Sequence, residues 1–203
     1  MSDKRKIIMD CDPGTDDSVC IVMALTHPDV ELLGITTESG NLPADKTTAN
    51  ALRILEYMDR GDIPVAQGMM HPMLREYPKD PYSHGVDGLG NHFFPEPKLK
   101  PIDKSPAQFI VDTVLANPGE VTLVCTSCLT NIAIAFMSRP EIMTDVREIN
   151  VAIDCGGPLT RGMTIWDRRD HFRWEHLPKI RTVFAIDGQK YQQTFYEALG
   201  GKQ

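Results

Sequence analysis

Four carboxylates fall within eight residues in the run Ile7-Ile8-Met9-Asp10-Cys11-Asp12-Pro13-Gly14-Thr15-Asp16-Asp17, between an apolar strand-like segment and an apolar helix-like one. Strand alternation sets Asp10 and Asp12 on one face. Pro13-Gly14 turns the chain, and Asp16 and Asp17 open the next helix. Two unit charges about 4 Å apart repel by roughly 4 kcal/mol at a surface-like dielectric. A helix N-terminus offsets only about 0.3–1 kcal/mol per charge. Such crowding at a strand end predicts a hard divalent cation with oxygen ligands, calcium or magnesium rather than zinc. The plainer alternative is an acidic helix cap on a solvated turn.

The segments that follow alternate between strand-like and helix-like, the pattern of a βαβ protein. Strands are predicted at Arg5–Asp10, Glu31–Thr37, Ile63–Ala66 and Val121–Cys125. Helices are predicted from Asp16 to Thr26, through the apolar stripe Ala51, Ile54, Leu55 and Met58, from Ser105 onward, and from Thr130 to Met137. In the third of these, Ser105 caps, Pro106 takes the first position and Gln108 closes a capping box, ahead of the stripe Ala107, Ile110, Val111 and Val114. Beyond Arg147, strand-like pieces at Val151–Ile153, Met163–Trp166 and Val183–Ile186 precede a last helix carrying Tyr191, Phe195, Ala198 and Leu199. The Pro/His/Gly-rich stretch from Gly68 to Lys104 is too long for a simple connection, and loops of that size are usually functional lids or disordered segments. Ligands of open α/β sheets bind outside the carboxyl ends of the strands. Asp12, Asn41 and Thr126 each lie just past such an end, which argues for a single site.

A chain of 203 residues fits one domain with a sizeable core. The formal net charge of −7 argues against a nucleic-acid surface. No apolar run approaches a membrane span, and Met1 to Lys6 leads into a strand rather than a signal-peptide core, so no membrane partner and a cytoplasmic location are expected. Five cysteines at irregular spacing do not form a secreted disulfide framework. Cys125-Thr126-Ser127-Cys128 is formally a C-x-x-C, yet no second pair completes a zinc site. His27, His71, His92, His171 and His176 read as surface residues.

Taken together, the motifs resemble those of the inosine-uridine-type nucleoside hydrolases. The resemblance rests on Asp10 to Asp17, on Gly34-Ile35-Thr36-Thr37-Glu38-Ser39-Gly40-Asn41, on His84-Gly85-Val86-Asp87-Gly88-Leu89-Gly90 and on Leu129-Thr130-Asn131-Ile132-Ala133. The tail, Gly162 to Asp167 and Ala185 to Asp187 before the last helix, is similar as well. The match is collinear. It implies an α/β fold with an open, mostly parallel, Rossmann-like sheet and flanking helices, in a single domain over 1–203. It also implies hydrolysis of the N-glycosidic bond of a small-molecule ribonucleoside to ribose and free base, with Ca2+ as cofactor. By resemblance, Asp12 and Asp17 would be calcium ligands and Thr126 would add its backbone carbonyl. Asp10 would support the metal cluster, and Asp16 would be the general base on the water. Asn41 would hold the ribose, and His84 would lie near the base or leaving group. Family members are generally homo-oligomers, so self-association is a further expectation.

The chain also departs from that pattern. The family's Glu-Phe-Asn motif for the ribose is absent, as is its His-Asp pair, which supplies a calcium ligand and a group near the leaving base; the nearest pair, Asp170-His171, is reversed. Asp154-Cys155-Gly156-Gly157, which looks like the family's late segment, follows Val146-Arg147-Glu148-Ile149 almost at once. The simplest account is an internal deletion with its junction near 149–151, leaving a fold incomplete relative to the family. Loss of an acid/base group costs about 10²–10⁴-fold in rate, so weak turnover is expected, or a catalytically impaired remnant that binds nucleoside or metal. A haloacid-dehalogenase-type phosphatase is a rival, since Asp10-Cys11-Asp12 after a strand would be its nucleophile and acid. Gly14 stands where that family has Thr or Val, and a phosphatase leaves Asn41 and His84-Gly85 unexplained.

Overall fold

The computed structural model describes residues 4–71, 73, 81–152, 180–183, 190, 193, 194 and 197. Six strands, β1 (Arg5–Cys11), β2 (Val30–Thr37), β3 (Val65–Ala66), β4 (Thr122–Cys125), β5 (Glu148–Ala152) and β6 (Ile180–Val183), form one sheet in the order β3-β2-β1-β4-β5-β6. Every pairing is parallel. Parallel neighbours need crossovers, and the helices α1 (Thr15–Thr26), α2 (Ala44–Tyr57), α4 (Pro106–Ala116) and α5 (Thr130–Ser138) supply them. The single turns α3 (Pro81–His84) and α6 (Ile142–Asp145) complete the described helices. None is long and apolar enough to cross a membrane.

Alternation along β1 divides the core in two. Ile7, Met9 and Cys11 pack with Ile21 of α1 and Ala51, Leu52, Ile54 and Leu55 of α2. Ile8 packs on the other face with Ile110, Val111 and Val114 of α4, Ile132 and Ala135 of α5 and Ile142 of α6. A sheet covered on both faces makes its strands near-continuously apolar, as in the fully buried run Ile7 to Cys11. Asp10 shares the face of Ile8, which directs it toward α5.

Several boundaries differ from the sequence-based expectation. The third strand shrinks to Val65–Ala66 because Pro64 can accept, taking the N–H of Ile35 at 2.9 Å, but has no N–H to donate. β5 begins at Glu148 rather than Val151, since Thr122 to Cys125 pair with Glu148 to Val151. The strand expected at Val183–Ile186 is placed at Ile180–Val183, with 184–186 outside the described residues. Met163–Trp166, most of the last helix, His171 and His176 also lie outside them. β1 ends at Cys11, so the loop, not the pleat, decides where Asp12 points. His27 is half-buried rather than a surface residue, and its ring accepts the N–H of Asp29 at 3.2 Å just past α1.

The capping box on α4 is half made. Ser105 accepts the N–H of Gln108 at 3.2 Å, but the Gln108 amide turns forward to Asp112 at 2.6 Å instead of back to the cap. Ser105→Ala is therefore expected to destabilise the protein by about 1 kcal/mol, and Gln108→Ala by a few tenths, as for other exposed i,i+4 pairs. Urea denaturation of the two variants measures the difference; equal losses would show that the box is closed in solution.

Candidate active site

Three strand ends coincide. Asp10 lies opposite Thr36 of β2 and Cys125 of β4 in the parallel register. Two backbone bonds extend the register past the strands: Glu38 N–H to Cys11 C=O at 3.0 Å and Thr126 N–H to Asp10 C=O at 2.9 Å. The loops after β1, β2 and β4 thus leave the sheet side by side.

Asp12 and Asp17 face each other across the first loop, where Asp12 N–H donates to Asp17 Oδ2 at 3.1 Å. The Asn41 N–H donates to Asp12 Oδ2 at 2.6 Å, so Asn41 meets Asp12 through its backbone and not its amide. Gly40 makes this approach possible, because a Cβ there would collide with the Asp12 carboxylate. Asp10 is fully buried; its Oδ1 accepts from Thr36 Oγ1 and from Asn131 Nδ2, the latter at 2.9 Å, while its Oδ2 has no hydrogen-bond partner.

Burial of the carboxylates has a clear electrostatic effect. Desolvation raises Asp10 to about 7, against the hydrogen bonds from Thr36 and Asn131. Desolvation likewise raises Asp12 to about 6, opposed by the Asn41 N–H. Asp17 reaches about 7, through desolvation and then the charges of Asp12 and Asp16, with the Asp12 N–H acting the other way. Asp16 stands apart, with 72% of its side chain exposed in the first turn of α1.

His84 is turned inward, not exposed. Its Nδ1 lies 2.8 Å from Thr15 Oγ1, 3.3 Å from Thr15 N and 3.8 Å from Asp16 Oδ1. A Cβ on Gly14 would come within 2.8 Å of the ring, so glycine there admits the imidazole. Asn50 of α2 ties the same loops together, donating to Pro13 C=O at 3.1 Å and to Asp87 C=O at 3.0 Å. Asp87 in turn accepts the N–H groups of Leu89, Asn91 and Phe93, each at 2.8 Å, which shapes the loop beyond His84.

Sequence reasoning passed over Glu38 and Asn131, although both lie inside quoted motifs. Glu38 is fully buried, accepting the Asn131 N–H on Oε1 at 2.6 Å, with Cys128 Sγ 3.3 Å from Oε2. Desolvation, then the charge of Asp10, pushes it up to about 8. The signal was a carboxylate directly after a buried strand, where only a partnered one is tolerated. The C-x-x-C is poorly disposed to redox chemistry. Burial raises the Cys125 thiol well above its usual value and Cys128 to about 12, which disfavours the thiolates such chemistry requires.

These donors suit a hard cation in kind, being oxygen atoms with uncompensated negative charge and one orphaned carboxylate oxygen, Asp10 Oδ2. Among the described residues, no three His, Cys, Asp or Glu side chains are disposed as a ready metal cage.

A model of the inosine-uridine preferring nucleoside hydrolase family matches residues 7–151. A probable uridine nucleosidase 2 of Arabidopsis thaliana is 44% identical over 151 residues, covering 73% of this chain and 47% of the relative. The solved plant nucleoside hydrolase PpNRh1 superposes with a TM-score of 0.70 at 36% identity, over 72% of this chain and 47% of its own. A purine-preferring ribonucleoside hydrolase from Gardnerella vaginalis gives 0.70 at 32%, over 73% and 48%. The chain spans about half the length of the curated relatives it matches.

The buried carboxyls hold their protons more tightly when folded than when unfolded, where release occurs near pH 4. From about pH 4 up to the folded values of about 6 to 8, the folded protein carries the extra protons, so stability falls as pH rises. In chelator the Tm is expected to drop steadily between pH 5 and pH 8, and excess calcium should flatten the slope. A Tm that climbs with pH in chelator would contradict the uncompensated burial.

Proposed function

The chain belongs to the inosine-uridine preferring nucleoside hydrolase family, and from that membership we propose that it hydrolyses the N-glycosidic bond of ribonucleosides at the Asp10–Asp17 loop. Asp12, Asp17 and the Thr126 carbonyl would hold a calcium ion, with Asp10 behind them. The ion, when bound, would fix the ribose diol and lower the pKa of the attacking water. Asp16 would take that water's proton, Asn41 would hold the ribose, and His84 would border the leaving base. The observation that carries this reading is the contrast between buried Asp12 and Asp17 and exposed Asp16 within one turn. Ligands and base thereby have different environments, which is how neighbouring carboxylates take different roles.

The substrate class proposed is the ribonucleoside rather than one base, because the relatives' names divide between uridine and purine. The single-domain arrangement with a junction near 149–151 is also a proposal; it is supported by the end of the family match at residue 151. The sequence holds neither Glu-Phe-Asn nor His-Asp, and this favours a second reading, calcium and nucleoside binding without turnover.

Ribose release from a panel of purine and pyrimidine ribonucleosides, with calcium and with chelator, decides between them. Slow release that chelator abolishes and that Asp16→Asn lowers by about 10²-fold or more is the expected result. No release from folded protein that still binds calcium would establish the second reading, and release indifferent to calcium and to Asp16 would overturn both.

A further inference from the structure

Every polar group of Glu38 is engaged, and each partner belongs to a different part of the site. Its N–H donates to Cys11 C=O at 3.0 Å, at the end of β1. Its C=O accepts from Thr47 Oγ1 of α2 at 2.8 Å. Its Oε1 accepts the Asn131 N–H of α5 at 2.6 Å, and Cys128 Sγ, 3.3 Å from Oε2, also lies 3.5 Å from the Ser39 carbonyl. Leu129 stands at the N-cap of α5 with no side-chain bond to give. Glu38 supplies that cap from the loop just past β2, a carboxylate at the positive end of a nine-residue helix. Asn131, so held, directs its Nδ2 to Asp10 Oδ1 at 2.9 Å and to Thr37 C=O at 3.0 Å.

We propose that Glu38 is a positioning residue that clasps the β2–α2 loop to the N-terminus of α5, and through Asn131 and Asp10 sets the Asp12–Asn41 and Thr126 loops in register. It touches neither ion nor substrate in this scheme. Its length matters, because it must span from the end of β2 to the Asn131 N–H and the Cys128 thiol together. Its charge matters less, because an amide oxygen accepts the same N–H. The inference rests on the reading above for what the loops hold, but not for the clasp itself.

Glu38→Gln and Glu38→Asp separate these requirements. Amide hydrogen exchange by NMR on the metal-free chain should leave Asn41, Thr126 and Asn131 in Glu38→Gln within about threefold of wild type. Glu38→Asp, which keeps the charge but is one methylene short, should speed exchange at these amides at least tenfold while the amides of α2 stay protected. Calcium affinity, titrated with the metal alone, should follow the same order. Wild-type exchange at the three amides in Glu38→Asp would overturn the clasp, as would a Glu38→Gln protein that exchanges as fast as Glu38→Asp or fails to fold. A wild-type chain that binds no calcium overturns the metal reading of the previous subsection, while the exchange pattern still decides the clasp.

Discussion

Carboxylates buried at the carboxyl edge of a parallel sheet, with no cationic side chain paired to them among the described residues, are the constraint to which the rest of the site answers. Among the described residues, no ion pair reaches Asp10, Asp12, Asp17 or Glu38; the basic residues pair elsewhere, as Arg5 does with Glu148 and Arg53 with Glu96. The negative charge is met by dipoles: backbone N–H groups of Asn41, Asp12 and Asn131, hydroxyls such as Thr36, and the amide of Asn131. Dipoles moderate the desolvation and do not cancel it, which is why the carboxyls hold protons near neutrality. Such an edge suits a cation, and the proposed chemistry rests on that.

The sheet makes the crowding unavoidable. Parallel pairing of β1 with β2 and β4 brings Asp10, Thr36 and Cys125 into one row, so the three following loops start within hydrogen-bond reach. Close packing then selects glycines. Gly40 lets Asn41 reach Asp12, and Gly14 admits the His84 ring, each at a point where a methyl group would displace a site residue.

Much of this architecture was legible beforehand. The strand–turn–helix boundary around Asp10 to Asp17 was clear because apolar periodicity changes abruptly there, and the stripes of α2 and α4 are buried as their spacing requires, apart from Met58, which caps α2 half-buried. Strand limits were less clear. Apolar runs do not record hydrogen bonding, so β3 was read two residues too long and β5 was expected three residues late. His84 carried no local sign of its direction, and the half-made box on α4 depended on whether the Gln108 amide accepts the Ser105 N–H or donates to Asp112.

The amino-acid sequence by itself determined the alternation of strands and helices, the placement of four aspartates at a strand-to-helix turn, and the family. These follow from local periodicity, turn chemistry and ordered motifs, which need no long-range information. Only the tertiary structure decided that Asn41 meets Asp12 through its backbone, that His84 lies on Thr15, and that Glu38 caps a helix beginning more than ninety residues later. Those contacts arise between loops distant in the chain that the parallel sheet sets side by side. A hydrogen bond across such a separation leaves no periodic trace in either segment.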